Sequence, residues 1–335
     1  MVKDQSAIGN RQLAIGNWQS AMTNPISKLV KPWYPSTALG LEKGMASVVD
    51  IDAGRGHQRN LRRAATVSLP ESLITPSFAE SNISDRAELA VALSELIASA
   101  GLLRQKRWSV ALPEAATRAL ILTLEERASS PRELEEMVAW KIDRGFAVPR
   151  EELSISRETL PKDSQGRDRY LIVAARSAVL DEYESTFGSL GWRTGLVLPR
   201  HMGEAQWLTG NGFKGDTLLL SASDNGFTAV VFRDKQPLIL RSVSCDEDER
   251  EDEFYRLLLF YRDRRAAETE ANQMLSALLV TGNGFSKSRA TEIVNETLGG
   301  NLHVLGAADL GLNLPTRELS FDAIAAPAGL ASLGK

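Results

Sequence analysis

The chain is poor in cysteine and histidine and has no long apolar run. Its one cysteine, Cys245, excludes an internal disulfide, and its 335 residues include only three histidines. The longest apolar stretches, such as 278–280 and 324–330, fall far short of the roughly 20 residues that cross a bilayer. The first residues lack the apolar core of a signal peptide. We therefore expect a cytoplasmic protein without a transmembrane helix.

The sequence also lacks the common catalytic motifs. It contains no Gly-x-Ser-x-Gly, Walker or Gly-x-Gly-x-x-Gly pattern. His57, His201 and His303 have no carboxylate or cysteine at metal-ligand spacing, so we expect them in loops or on the surface and expect no metal site. A formal net charge of −4 gives no electrostatic reason to bind nucleic acid.

The acidic run 246–253 is the remaining candidate for a metal site. It opens a segment with apolar residues at helical spacing, and that segment ends in Arg262, Arg264 and Arg265. Acidic residues at the start and basic residues at the end of a helix are favoured by the helix dipole. The run therefore predicts a solvated helix rather than a metal site.

Two stretches of the chain, 37–69 and 217–243, share one plan: an apolar strand, a polar turn and then further strands. The first polar turn is Glu42-Lys43-Gly44, and the second lies within 221–226. Asn225-Gly226 predicts a hairpin turn there, because both central residues of such turns must tolerate positive φ. The strands expected are 38–41, 48–51 and 64–67 in the first copy, and 218–220, 228–232 and 238–243 in the second.

A helix and a further strand follow each copy. Segments 85–99 and 249–267 have apolar residues at helical spacing, and the apolar runs 108–112 and 275–280 come after them. The order βββαβ therefore occurs twice, which predicts two similar α/β domains that face a cleft.

An extra unit lies within the first half of the chain. Ser130-Pro131-Arg132-Glu133 is a capping box with proline at the first helical position, and Gly145 is the expected end of that helix. Segments 153–159 and 170–175 then predict two strands. Segment 177–190 predicts a helix with Gly191 as its C-cap.

Six short segments, taken in order, resemble the PilM family of actin-like proteins from the type IV pilus platform. That family is similar to FtsA and to the cytoplasmic part of the type II secretion L protein. The segments are 39–44, 110–113, 133–152 with its central Trp140, 171–176, 232–234 and 260–262. The resemblance implies an α/β, actin-like ATPase fold of duplicated, ribonuclease-H-like βββαβα domains. It also implies an FtsA-type inserted subdomain and a truncated second domain, because Val243 is followed almost directly by the next helix.

The resemblance divides the chain into four parts. They are a leader (1–35), a first actin-like subdomain (36–112), an inserted subdomain (113–195) and a reduced second domain (196–335). The leader contains a seven-residue near-repeat, 6–12 and 13–19, whose composition predicts disorder, with Met22 as an alternative start. A partner-binding tail is the other interpretation of this repeat.

The resemblance also places residues at the nucleotide loops of the family. Glu42 stands where the first loop has aspartate, and Ser221 and Ser223 stand where the second has aspartate and glycine. Asp224 could substitute as the acidic residue, although a turn-capping role is favoured. We expect defective loops, no catalytic residue and no cofactor; Mg-ATP bound through Glu42 and Asp224 is the alternative. The equivalent positions are Glu42, Gly44, Ser47, Ser221, Ser223, Asp224, Gly226, Gly282 and Gly284.

By resemblance, the expected function is that of a non-catalytic scaffold of the type IV pilus inner-membrane platform. The expected partner is the cytoplasmic tail of a PilN-like membrane protein, bound in a groove between the first and inserted subdomains. That partner would hold the protein at the inner membrane. The alternatives are an active ATPase and a stand-alone counterpart of the type II secretion L protein. We expect Trp140 in the core, although the family uses its subdomain as one wall of the groove.

Overall fold

The computed structural model describes residues 34–53, 58–210, 212–266, 274–299, 302–314 and 319–334. The leader repeat and His57 lie outside these residues. No helix among the described residues is long and apolar enough to cross a membrane.

Fourteen strands and seven α-helices are formed within the described residues. The strands are β1 (Thr37–Glu42), β2 (Met45–Ala53), β3 (Arg59–Ser68), β4 (Arg107–Leu112), β5 (Arg118–Thr123), β6 (Leu153–Leu160), β7 (Arg169–Arg176), β8 (Arg193–Pro199), β9 (Asp216–Ser223), β10 (Gly226–Arg233), β11 (Gln236–Ser244), β12 (Leu275–Gly282), β13 (His303–Val304) and β14 (Leu312–Asn313). The helices are α1 (Arg86–Ser99), α2 (Pro131–Phe146), α3 (Ser177–Ser189), α4 (Arg200–Gly210), α5 (Arg250–Ala266), α6 (Lys287–Leu298) and α7 (Phe321–Ala331).

Both expected meanders are present, each within its own sheet. The first sheet has the order β14-β3-β2-β1-β4-β8, in which β1, β2 and β3 are antiparallel and β4 and β8 run parallel to β1. The second has the order β11-β10-β9-β12-β13, with the same antiparallel start and β12 parallel to β9. The duplicated βββαβ order predicted from the sequence is therefore confirmed.

Two helices that the sequence analysis did not predict pack between the sheets. Helix α7 contacts β1, β2, β4 and β12, and α4 packs on α7 and on β9. The two helices approach so closely that a Cβ atom at Gly329 would lie 1.8 Å from the carbonyl oxygen of Gly203. Only glycine allows backbones to meet at this distance. The α4–α7 pair therefore joins the two halves of the core.

The third sheet has the order β5-β7-β6 and lies within the segment expected to be inserted. Helix α2 covers it with Val138 and Ile142, which are 3% exposed each. The capping box is confirmed at Ser130, whose side chain accepts a hydrogen bond from the N–H of Glu133. The expected stop at Gly145 is wrong, because the helix continues to Phe146 and ends at Ala147, which takes a left-handed φ of 55°.

Trp140 does not lie in the core, and that expectation is wrong. Its side chain is 59% exposed on α2, with the Arg144 guanidinium 5.4 Å from its ring. Helical spacing alone does not fix which face a residue takes at the margin of an apolar stripe, and here Val138 and Ile142 face inward instead.

The second hairpin turn differs in position from the expected one. Its two loop residues are Asp224 and Asn225, and Ser223 pairs with Gly226 at the end of the ladder. Gly226, with φ of 127°, is the first residue of β10, where a Cβ atom would lie 2.0 Å from the carbonyl oxygen of Val243. The glycine is therefore required by the neighbouring strand β11 rather than by the turn.

The connection from β11 to α5 is short, as expected. One 3₁₀ turn, Glu247–Glu249, separates the end of β11 from the first residue of α5. The truncation relative to the family and the four domain boundaries stay predictions.

Candidate functional site

The candidate site is the cleft between the two large sheets, where the ends of several elements meet. The β1–β2 turn brings Glu42, the β9–β10 turn brings Asp224, and the start of α4 brings Arg200. Glu114 follows β4, and the loop after β12 contributes Asn283. The structure thus brings the two predicted turns together at one cleft.

Not all the predicted positions face this cleft. Ser47 is 2% exposed, and its Oγ atom lies against Gly40 within the first sheet rather than in the cleft. Gly44 has φ of 72° and nothing within 4 Å of its Cβ position, so it serves the β1–β2 turn. Among the other positions, Glu42, Ser223 and Asp224 line the cleft pocket.

Arg200 is the central residue of the cleft. Its guanidinium is 3% exposed, donates from Nε to Glu204 Oε1 at 2.7 Å, and donates from Nη1 to Glu42 Oε2. The same group lies against the loop after β12, because a Cβ atom at Gly282 would be 2.6 Å from Nη2. The acidic residue of the first turn is therefore neutralised by a cation of the protein itself.

The charges of this cluster depend on one another. Burial raises the pKa of Glu42; the positive charge of Arg200 opposes this shift, and the negative charges of Glu204 and Asp224 add to it. Burial would lower the pKa of Arg200, but the carboxylates of Glu204 and Glu42 outweigh it and the pKa is raised. Arg200 therefore stays charged at every ordinary pH, and its positive charge limits the rise in the pKa of Glu42.

His201 lies beside Arg200 and forms a second buried contact across the cleft. It is 1% exposed, and its Nδ1 is 2.7 and 2.8 Å from the two oxygens of Glu114. Thr228 of β10 donates to Glu114 Oε1 at 2.7 Å. The expectation of a loop or surface position for His201 is therefore wrong. Its partner Glu114 lies 87 positions away, so no spacing in the sequence indicated this contact. His303, with a side chain 61% exposed, does lie on the surface.

Glu114 is held in its charged form at this position. Burial would raise its pKa, but the charge of His201 and the hydrogen bonds from His201 and Thr228 lower it below the ordinary value. The carboxylate stands at the start of the inserted segment and contacts both α4 and the second sheet. It therefore ties the segment that follows β4 to α4 and to the second sheet.

Arg250, the first residue of α5, ties the two loops of the second domain together. Its Nη1 donates to the carbonyl oxygen of Gly284 at 2.8 Å, and its Nη2 donates to the carbonyl oxygen of Asp224. A Cβ atom at Gly284 would lie 2.1 Å from Nη1. The carboxylate of Asp224 accepts no hydrogen bond from the described residues, so its expected turn-capping role is not observed. The side chain is exposed and lines the cleft.

Comparisons with known proteins are informative only at the level of structure. No protein-family model matches the sequence, and no curated protein is similar to it in sequence. A chain of the PilM–PilN type IV pilus biogenesis complex superposes with a TM-score of 0.65 at 16% identity, covering 90% of this chain and 98% of that one. A Bacteroides thetaiotaomicron protein with an actin-like ATPase fold and unknown function gives a TM-score of 0.51 at 13% identity, covering 92% and 99%.

The chain has an actin-like ATPase fold. A looser superposition, with a TM-score of 0.42 at 12% identity, relates 73% of the chain to 80% of the cytoplasmic domain of EpsL, an inner-membrane component of the Vibrio cholerae type II secretion system. The fold class expected from the sequence is confirmed. The identities are low, so these similarities establish the fold alone.

The cleft of this actin-like fold retains only a small pocket. Its volume is about 60 Å³, whereas pockets for small-molecule ligands measure roughly 300–1,000 Å³. Within the described residues, no three His, Cys, Asp or Glu side chains are grouped so that they could hold a metal ion.

The floor of the cleft remains polar. Four atoms around Arg200 are buried without a hydrogen-bond partner among the described residues: His201 Nε2, Glu204 Oε2, Ser221 Oγ and Thr281 Oγ1. Thr228, Ser221 and Thr281 are neighbours across β10, β9 and β12, so their side chains share one face of the second sheet. At position 221, where the family resemblance implied aspartate, the chain therefore has a buried serine hydroxyl.

The residues that dominate the site are those that the sequence analysis missed. Arg200, Glu114 and Arg250 belong to no recognisable motif, and each acts through partners far away in the chain. The one local signal is the pair Arg200 and Glu204, whose i, i+4 spacing on a helix is typical of an ion pair.

Proposed function

We propose that the protein is a non-catalytic, actin-like scaffold of a type IV pilus inner-membrane platform, where it binds the tail of a PilN-like membrane protein. The superposition with a chain of the PilM–PilN complex supports the choice of system. The Arg200 contacts carry the non-catalytic part of the proposal. A stand-alone counterpart of the type II secretion L protein remains the alternative within the same structural class.

Arg200 opposes nucleotide binding in two ways. An actin-type site needs an acidic residue to hold the metal and free backbone N–H groups around the phosphates. Here Glu42 is paired with a buried guanidinium, and Gly282 is packed against the same group. Breaking a buried ion pair costs about 3–5 kcal/mol, which lowers an affinity by roughly two to three orders of magnitude. The binding free energy of Mg-ATP would have to offset this cost.

The proposed partner site rests on the junction of the first and inserted subdomains, which the structure holds rigidly. Phe78, from the loop before α1, packs into the core of the inserted subdomain with its ring centroid 6.2 Å from that of Phe146. The N–H groups of Asn82 and Ile83 donate to the buried Glu182 carboxylate at 2.8 and 3.2 Å. A partner bound between two such fixed walls would meet a preorganised surface, which reduces the entropy lost on binding.

Trp140 supplies an aromatic side chain on the inserted wall. Exposed tryptophans are over-represented among the residues that dominate protein–protein binding. We expect Trp140→Ala to weaken binding of the PilN-like tail at least tenfold, as measured by isothermal titration calorimetry. Tyr255→Ala, which removes an aromatic side chain 45% exposed on α5 and outside both proposed walls, is the matched control and should leave the affinity unchanged. Equal affinities for Trp140→Ala and wild type would remove this residue from the partner site.

The nucleotide part of the proposal is tested separately. We expect no heat of Mg-ATP binding in calorimetry and no phosphate release above buffer background. The alternative, an active ATPase, is favoured by one observation: Glu42 and Asp224 face each other closely enough for their charges to interact. ATP turnover that disappears in both Glu42→Ala and Asp224→Ala would reject the scaffold and establish the ATPase.

A further inference from the structure

A second pocket lies between the inserted subdomain and the second domain, away from the nucleotide cleft. One wall is the β6–β7 connection, and the other is the β10–β11 hairpin together with the end of α5. Its volume is about 460 Å³, within the range of small-molecule sites and several times that of the cleft pocket. Its charged lining comprises Lys162, Arg169, Arg233, Arg264, Asp163 and Asp234.

The lining carries an excess of positive charge. It has four cations against two carboxylates, and Asp163 is itself paired with Arg167 at 2.7 Å. Asp216, which pairs with Arg233 at 2.8 Å, is completely buried behind the wall. Lys162 also has a partner, Asp168 at 2.8 Å, so an anion entering the pocket would share cations that already contact groups of the protein.

Two of these cations are held rigidly. Arg169 is only 6% exposed, and its Nη2 donates to the carbonyl oxygens of Pro237 and Leu238, both at 3.1 Å. Arg233 is fixed by two hydrogen bonds to Asp216, at 2.9 and 2.8 Å. Cations that are positioned before a ligand arrives lose little entropy on binding, and guanidinium groups suit phosphate oxygens geometrically. Lys162, which is 54% exposed, lies at the mobile rim of the same pocket.

We propose that this pocket binds a phosphate-bearing small molecule of up to nucleotide size. Because the walls belong to the inserted subdomain and to the second domain, the ligand would link these two parts beside the existing Arg169 contact. The ligand would bind through cations of the protein and would need no metal ion. This site is independent of the scaffold function proposed above and of the alternative Mg-ATP site in the cleft, where binding would depend on Mg²⁺ and Glu42.

The test uses the whole chain with inorganic pyrophosphate and with ATP, both in EDTA. We expect saturable binding in calorimetry and a higher melting temperature, because a ligand that binds only the folded state stabilises it. Arg264→Glu and Lys162→Glu should each weaken binding at least tenfold. Arg262→Glu, at a position on α5 that does not line the pocket, is the matched control and should bind as wild type does. Lys162 is exposed enough for its variant to fold normally.

Four outcomes would overturn the proposal. The first is the absence of saturable binding of either probe at millimolar concentration. The second is an equal loss in Arg262→Glu and Arg264→Glu, which would indicate general electrostatic attraction. The third is loss of binding in Glu42→Ala with full binding in Arg264→Glu, which would place the ligand in the cleft. The fourth is binding of poly-glutamate without binding of either phosphate compound, which would indicate an acidic peptide site.

Discussion

Arg200→Met gives the most direct test of the closed cleft. The substitution keeps an unbranched apolar stem but removes the guanidinium between Glu42 and Glu204, whose side chains are 24% and 0% exposed. Removing one partner from a buried ion pair leaves an uncompensated buried charge and costs about 3–5 kcal/mol. We expect the free energy of unfolding at pH 7.5 to fall by this amount.

The pH dependence identifies which carboxylate causes the loss. The folded-state pKa of Glu42 is raised above its ordinary value of 4.5 by burial, and Arg200 limits the rise. A group with a raised pKa contributes stability below its unfolded pKa and loses that contribution as the pH rises through the folded pKa. Without Arg200 the pKa of Glu42 rises further. The destabilisation of Arg200→Met should therefore shrink as the pH is lowered from 7.5 towards 4.5.

Urea denaturation followed by tryptophan fluorescence and by circular dichroism measures this effect. The control is Arg132→Met, because Arg132 forms an i, i+4 pair with Glu136 at 2.9 Å on the surface, with side chains 90% and 65% exposed. Such exposed pairs contribute less than about 0.5 kcal/mol. If Arg200→Met destabilised the protein no more than Arg132→Met does, the guanidinium would not lock the cleft and the argument against nucleotide binding would fail.

Three further predictions concern other parts of the chain. Glu114→Gln should lower the free energy of unfolding by about 2–3 kcal/mol at pH 7. Because the folded-state pKa of Glu114 is lowered, this difference from wild type should shrink below about pH 4.5, as urea titrations at pH 7 and 3.5 can measure. Gly329→Ala should lower thermal stability by about 3 kcal/mol or more, since its Cβ would meet the Gly203 carbonyl, whereas Gly188→Ala, with open space around its Cβ, should be neutral or stabilising in the same assay. Deleting 2–21 should change the free energy of unfolding by less than about 0.5 kcal/mol; a larger loss would show that the repeat packs on the body.

Much of the fold could be predicted because its signals are local. The strands of both meanders and the start of α2 follow from alternation, turn residues and a capping box within a few positions of one another. Helix α7 could not be predicted in this way. It is apolar on nearly every side, so the sequence shows no amphipathic stripe. It also contains Pro327, which interrupts the run of helix-forming residues. Its burial between the two sheets becomes evident only when both domains are in place.

The residues of the candidate site also fall into those with a local signal in the sequence and those without one. The family resemblance placed Glu42 and Asp224 at the nucleotide loops, and each lies in a turn that follows an apolar strand. Arg200 and His201 were not identified, because the contacts that define them join residues 158 and 87 positions apart. Sequence spacing identifies a group with its own local partners. A buried charge whose partner comes from another domain leaves no such spacing.

The glycines of the loop after β12 show how the closed cleft changes the interpretation of the sequence. A glycine pair after a strand resembles a nucleotide loop, because glycine allows the backbone to approach a ligand closely. In this chain the groups that approach are Arg200 at Gly282 and Arg250 at Gly284. Any larger residue would meet a buried guanidinium at 2.6 or 2.1 Å, so both glycines are required even if no nucleotide ever binds. The loop motif is therefore compatible with the absence of nucleotide binding that we propose, because Arg200 and Arg250 occupy the space beside the two glycines.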